Sequence, residues 1–285
     1  MRKLLFGLLL LSFALDAEAS HTYYSLFRRS DSLQVREIRI PESDGFMIAG
    51  HHGPALENQY MCLRLYFNAS GAIDVYSKNG RVDNELGRWK WYPGKADQLN
   101  YGAGSDDYLV GKTTGLGGVR LWDGEKEVLL EATKGRRAVV GRCGQKVFMK
   151  MYAYGVPYMG RLVDIMLKVE MKEGSRWATV SAKALNGEKV RFATGVNFHR
   201  GALWDKGEGY LAVWGVHPSD VALNPGPIGA GMRYNPEDFT QSFSLDDRFL
   251  LVSGKCSSVQ TYVVAASERE DELCNPDAFF SLFRR

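Results

Sequence analysis

The sequence predicts an all-β fold of antiparallel strands, on three observations. Apolar and polar residues alternate through several segments, turn-forming residues separate those segments, and no long stretch repeats its apolar residues with a helical period. Short strands divided by turns bury their apolar faces in a sandwich or barrel.

The first element is a targeting signal. Arg2 and Lys3 precede an apolar run from Leu4 to Leu15, broken only by Gly7 and Ser12, and Ala17-Glu18-Ala19 follows. This is the layout of a secretory signal peptide cleaved after Ala19. The run is about 12 residues, short of the roughly 20 that a spanning helix needs. Residues 1–19 are therefore read as a signal peptide and residues 20–285 as a single β-sandwich domain. The protein is expected to be secreted or periplasmic, with no membrane span.

The chain carries 36 Lys and Arg against 33 Asp and Glu, a net charge of +3. So mild a balance argues against a nucleic-acid partner, which calls for a concentrated basic face. Cys62, Cys143, Cys256 and Cys274 form no CxxC pair, so a zinc site built from them is not expected. Export permits disulfides. If any forms, Cys256–Cys274 is the expected pair, and buried free thiols are the alternative.

The strands follow in order. Met61, Leu63, Leu65 and Phe67 alternate with Cys62, Arg64 and Tyr66. Asn68-Ala69-Ser70-Gly71 turns the chain, and Ile73 and Val75 then alternate with Asp74, Tyr76 and Lys78. This is a hairpin with one apolar and one polar-aromatic face. Val163 to Met171 and Trp177 to Leu185 read as further strands, with a turn at Glu173-Gly174. After Asn186-Gly187-Glu188 comes a strand from Val190 to His199. Tyr210–Val216, Phe249–Ser253 and Ser258–Ala266 complete the set. Asn224 to Gly231 reads as a surface loop. Gly115-Leu116-Gly117-Gly118 lacks the spacing and strand–helix context of a nucleotide loop, and no cofactor is implied.

Three groups could carry chemistry. His51-His52-Gly53-Pro54-Ala55-Leu56-Glu57-Asn58 places imidazoles, a carboxylate and an amide on a Gly/Pro loop, where His and Glu suit proton exchange. Its plainer role is a tight turn. Arg64, Tyr66, Asp74, Tyr76 and Lys78 share one hairpin face, where rings stack on sugars and cations pair with carboxylates. Its plainer role is a solvated surface. His199 shares a face with Asn197 and the small residues Ala193 and Gly195, which leaves space for a ligand. A metal held by His51, His52, Glu57 and His199 is a lesser alternative, since no recognised ligand spacing is present, and no metal is assigned.

The segments HGPALENQYMCLRLYF (His52–Phe67) and IDVYSK (Ile73–Lys78) resemble the bacterial family called domain of unknown function 4861. So do DDYLVGKTTGLGGVRLWDG (Asp106–Gly124), FATGVNFH (Phe192–His199), YLAVWG (Tyr210–Gly215), GAGMRY (Gly229–Tyr234) and TYVVAA (Thr261–Ala266). Ser77 stands where the family pattern has Gly, and Asn68 where Asp is common. The resemblance implies a large antiparallel β-supersandwich of the galactose-mutarotase-like kind, with its site on a concave sheet face, and an association with the degradation of uronate-containing polysaccharides. Carried onto this chain, the distinctive polar positions are His52, Glu57, Asn58, Arg64, Tyr66, Asp74, Tyr76, Lys78, Lys112 and His199.

The expected function is that of a carbohydrate-active enzyme, a lyase or epimerase that removes a proton from carbon on a uronate-containing oligosaccharide. His52, His199, Tyr66 and Glu57 are the expected catalytic residues. Asn58, Arg64, Asp74, Tyr76, Lys78 and Lys112 are expected to bind substrate, with Arg64 or Lys78 neutralising the uronate. A non-catalytic sugar-binding module, stacking saccharides on Trp204 and Trp214, and a structural envelope protein are the alternatives.

Overall fold

The computed structural model describes residues 22–78, 105–220, 222 and 224–284. The signal peptide read at 1–19 lies outside them. The described chain is almost wholly antiparallel β, as the alternation predicts.

One layer is a nine-stranded sheet. Its strands run in the order Leu203–Gly207, Tyr210–Gly215, Ile228–Tyr234, Ser258–Ser267, Ala178–Ala184, Arg161–Lys172, Lys146–Tyr158, Arg136–Cys143 and Glu37–Ile40. The facing layer has two parts. A four-stranded sheet orders Tyr23–Ser25, Ala55–Glu57, Cys62–Leu65 and Ile73–Tyr76, and a five-stranded sheet orders Phe239–Ser244, Arg248–Ser253, Phe192–Asn197, Leu116–Trp122 and Glu127–Val128. A parallel bridge, Ile73 to Gly115, joins the two parts. Phe27–Arg28 and Leu33–Gln34 form a separate ribbon.

The layers close on the apolar faces. Val163, Ile165, Leu167, Val169 and Met171 point inward from one strand, and Leu63, Leu65, Ile73 and Val75 meet the same core from the hairpin. At roughly 1.5–3 kcal/mol per fully buried aliphatic side chain, these rows are the main stabilising term. The turn at 68–71 behaves as read. Asn68 Oδ1 accepts from the Ser70 amide at 2.9 Å and its hydroxyl at 2.6 Å. Gly71 sits at φ 62°, where a Cβ would meet the Val119 carbonyl at 2.0 Å.

Two expectations are corrected. Ile228–Gly231 is strand, not loop. Its glycines mark close packing: a Cβ on Gly229 would approach the Phe279 ring at 2.9 Å, and one on Gly231 would approach Phe283 at 2.3 Å. These rings belong to the short C-terminal helix Pro276–Ser281 and the residues just after it, which cover one end of the large sheet's outer face. Second, Cys256 and Cys274 are not joined. No helix among the described residues is long and apolar enough to cross a membrane.

Candidate functional site

The polar face of the hairpin is buried rather than solvated. Arg64 is 0% and Asp74 1% exposed. Register explains their meeting, since Arg64 stands directly opposite Asp74 across the antiparallel pair. Arg64 Nη2 donates to Asp74 Oδ2, and at 2.8 Å to Asp106 Oδ1. The Tyr66 hydroxyl also donates to Asp74 Oδ2.

The segment from Ser105 to Gly111 covers this face. Ser77 and Ser105 exchange backbone hydrogen bonds at 2.8 and 3.0 Å, which extends the sheet by one bridge. Beyond it Asp106 and Tyr108 line the cleft. Asp107 instead accepts from the Ser77 hydroxyl, from the Ser105 hydroxyl at 2.9 Å and from Arg269. Ser77, the departure from Gly, therefore fixes this segment. At its far end the buried Arg120 guanidinium holds the Lys112 carbonyl at 2.9 Å and the Thr113 carbonyl at 2.7 Å.

Between the hairpin and this segment opens a cleft of about 330 Å³, lined by His52, Tyr66, Asp74, Asp106 and Tyr108, with Phe46 as an apolar wall. The His52 ring stacks on Phe46 at 3.8 Å and 6°, and its Nδ1 lies 3.0 Å from the Phe46 carbonyl. That bond requires the proton on Nδ1, so Nε2 carries the lone pair. His51 and His52 both adopt left-handed backbone, at φ 54° and 60°. Such strain costs about 1–3 kcal/mol per residue and is found at sites where side-chain direction matters.

Burial sets the electrostatics. It pushes the Asp106 carboxyl up to about 7 against the pull of Arg64, and the neighbouring Asp74 charge adds to the rise. Asp74 is raised by burial as well. One guanidinium does not offset the desolvation of two carboxylates, so both are shifted toward the protonated form. Burial, assisted by the Arg64 charge, holds His52 below its ordinary value, so its imidazole is neutral at pH 7. Burial also holds Tyr108 well above the usual phenol range, and its hydroxyl has no acceptor among the described residues.

The expected site residues divide. His52, Tyr66 and Asp74 line the cleft, and Arg64 lies behind it. Glu57 and Lys78 do not line it. They form their own buried ion pair at 2.6 Å. Tyr76 is buried beside Cys62 and Ala55, with Arg64 5.7 Å from its ring centre. Asn58 is a turn residue, donating to the Ser175 carbonyl at 2.8 Å and accepting from the Tyr60 and Met61 amides at 3.0 and 3.1 Å. Lys112 is exposed next to Gly111.

His199 lies two residues beyond its strand, at the back of the cleft wall. Its Nε2 is 3.2 Å from the Leu109 carbonyl, which also accepts from Asn197 Nδ2 at 2.9 Å. The small residues beside it leave no ligand space: a Cβ on Gly195 would lie 1.9 Å from the Phe249 carbonyl, and Ala193 packs in the core. His51, His52, Glu57 and His199 form no metal-binding group among the described residues.

Asp106, Tyr108, Phe46 and His217 were not singled out by the sequence reading. His217 packs edge-on to His199 at 4.5 Å, and its Nδ1 accepts from the Leu109 amide at 3.1 Å. Burial, and then His199, hold its imidazole down to about 3. The signal for Asp106 and Tyr108 was their place in the family segment Asp106–Gly124, from which only Lys112 was taken as a site residue.

Fold and site together define a two-layer antiparallel β protein in which a buried carboxylate pair, bridged by one arginine, opens into a cleft. The chain belongs to the family described as domain of unknown function (DUF4861), which matches residues 16–285. No curated protein matches it. Among solved structures it is similar to heparan sulfate lyase HepC from Pedobacter heparinus, with 10% identity and TM-score 0.39, over 77% of this chain and 34% of that one. It is also similar to a protein from the human microbiome assigned as a kojibiose phosphorylase, with 11% identity and TM-score 0.43, over 81% and 32%. A Klebsiella pneumoniae protein assigned as an aldose 1-epimerase shows 7% identity and TM-score 0.36, over 86% and 91%. The chain spans about a third of the length of the lyase and the phosphorylase.

Proposed function

We propose that the chain is a carbohydrate-active enzyme whose cleft moves a proton to and from carbon on a uronate-containing saccharide, by elimination or epimerisation. The observation that carries this reading is the Asp74–Asp106 pair, bridged by Arg64 Nη2 and raised by burial, which lines one cleft with the His52 imidazole. An acid and a base of matched strength in one cleft are what such chemistry needs.

In this reading His52 Nε2 accepts the proton from carbon, and Asp106 returns a proton to carbon or to the leaving oxygen. Asp74, hydrogen-bonded by Arg64 and Tyr66, keeps the negative charge of the pair. Arg64 and Lys78 are already engaged with carboxylates, so neither is the group that neutralises the uronate. The Tyr108 hydroxyl meets the substrate carboxylate instead, which leaves the Asp106 proton for the acid step, and the Phe46 ring offers an apolar surface to the sugar's CH groups.

A second reading, a non-catalytic sugar-binding module, is favoured by Trp204, which is 55% exposed with Lys206 Nζ 5.5 Å from its ring centre. Trp214 does not serve that reading, being buried against Phe279. Incubation with a panel of pectic and glucuronate-rich oligosaccharides separates the two. An unsaturated or epimerised product, detected by ultraviolet absorbance and NMR and lost in Asp106→Asn, supports the enzyme. Binding without product in any member of the panel supports the module.

The export signal read at the N-terminus supports action outside the cytoplasm. N-terminal sequencing of the protein from the producing cell tests this: a mature chain starting at Ser20 agrees, and an intact Met1 in the cytoplasm contradicts.

A further inference from the structure

The outer face of the nine-stranded sheet points away from the core, on the side of the sandwich opposite the cleft. The C-terminal helix covers one end of it. Over the strands Glu37–Ile40 to Ala178–Ala184, the outward residues are half-buried or exposed.

Register places like charges directly opposite one another on this face. Arg39 pairs with Arg137, Lys150 with Lys168, and Lys146 with Lys172. Like charges facing across a ladder destabilise a sheet. Lys183, opposite Met166, adds a further cation. Two carboxylates answer part of this charge, Glu37 bonding Arg137 at 2.6 Å and Glu170 lying 2.9 Å from Lys168. Edge strands carry cations to discourage strand addition. That accounts for Arg39 on the last strand, but Lys150 and Lys168 sit on interior strands.

Aromatic rings are interleaved with the cations. Tyr152 and Tyr154 stack at 6.0 Å, Arg137 lies 5.4 Å from the Tyr152 ring centre, and Lys150 Nζ lies 5.1 Å from that of Phe148. Rings that accept sugar faces, alternating with cations that accept carboxylates, fit an acidic saccharide better than a neutral one.

We propose that this face is a second, non-catalytic binding surface for an extended acidic polysaccharide, a polyuronate chain, which it holds by charge complementarity and ring stacking. It does not depend on chemistry in the cleft.

Affinity electrophoresis of the full chain in gels containing polygalacturonate, with dextran as the neutral reference, tests this. The expected result is retardation by polygalacturonate alone, weakened by salt and reduced roughly tenfold in Lys150→Gln/Lys168→Gln with melting temperature retained. Asp106→Asn should be retarded like the wild type, which separates this surface from the cleft. Lys183→Gln supplies a second variant should the first fold poorly. Absence of retardation in the wild type overturns the proposal, as does undiminished retardation in folded variants. Equal retention by duplex DNA or by phosphatidylserine vesicles overturns the assignment to a saccharide.

Discussion

Arg64 faces Asp74 across the hairpin, and the same Nη2 that bonds Asp74 also bonds Asp106 on the covering segment. One guanidinium thus ties a strand pair to a cleft wall and opposes the rise that burial gives both carboxyls. Removing one partner of a buried ion pair leaves uncompensated charge, at a cost of about 3–5 kcal/mol. Arg64→Met should therefore lower unfolding free energy by about that amount in a urea titration near pH 7. A change under about 1 kcal/mol would contradict the ion-pair account.

The raised Asp106 carboxyl predicts a pH dependence whose sign follows from the direction of its shift. Between the unfolded carboxyl value of about 4 and the folded value of about 7, the folded state holds a proton that the unfolded state has released. This group's contribution therefore makes the fold less stable as pH rises through that window. Urea titrations from pH 4 to 8 should show a shallower loss of stability for Asp106→Asn than for the wild type. Where Asp106 acts as the acid, kcat/KM should fall above about pH 7 in the wild type.

Asn197 is a positioning residue for the cleft wall, through its bond to the Leu109 carbonyl. Losing one such bond costs about 1–3 kcal/mol when it leaves a buried acceptor short of a donor. Asn197→Ala should lower kcat by about tenfold, through displacement of Asp106 and Tyr108. A circular dichroism spectrum unchanged from wild type separates this from loss of fold.

Gly195 admits the Phe249 carbonyl of the adjacent strand, where a Cβ would lie 1.9 Å away. Gly195→Ala should destabilise by about 3 kcal/mol, at the upper end of overpacking costs. Thermal melting checks this, and an unchanged midpoint would refute the close approach.

The strand pattern was legible because burial follows period two. Val163 to Met171 and the hairpin were read with the correct inward residues. The same period placed Arg64, Tyr66 and Asp74 on one face, which is the base of the cleft. Asp106 and Tyr108 were hidden because they lie on an extended segment anchored by a single bridge to Ser77. A contact across that distance in sequence leaves no local pattern. Glu57 and Lys78 were named as site residues because titratable groups in a polar run suggest chemistry, yet each neutralises the other. Gly195, Gly229 and Gly231 misled for one shared reason. A glycine signals a turn or an open space in a sequence, whereas in a packed sheet it also marks where a backbone or ring comes close.

Removal of a proton from carbon on a saccharide is the step assigned to the cleft. The most direct measurement is NMR of a uronate oligosaccharide incubated with the protein in D2O. Either deuterium should enter a ring C–H position or an alkene product should form, with the rate lowered in both His52→Ala and Asp106→Asn while their fold is retained. A bound saccharide whose C–H signals stay intact with the wild type, or exchange equally fast with both variants, would contradict it.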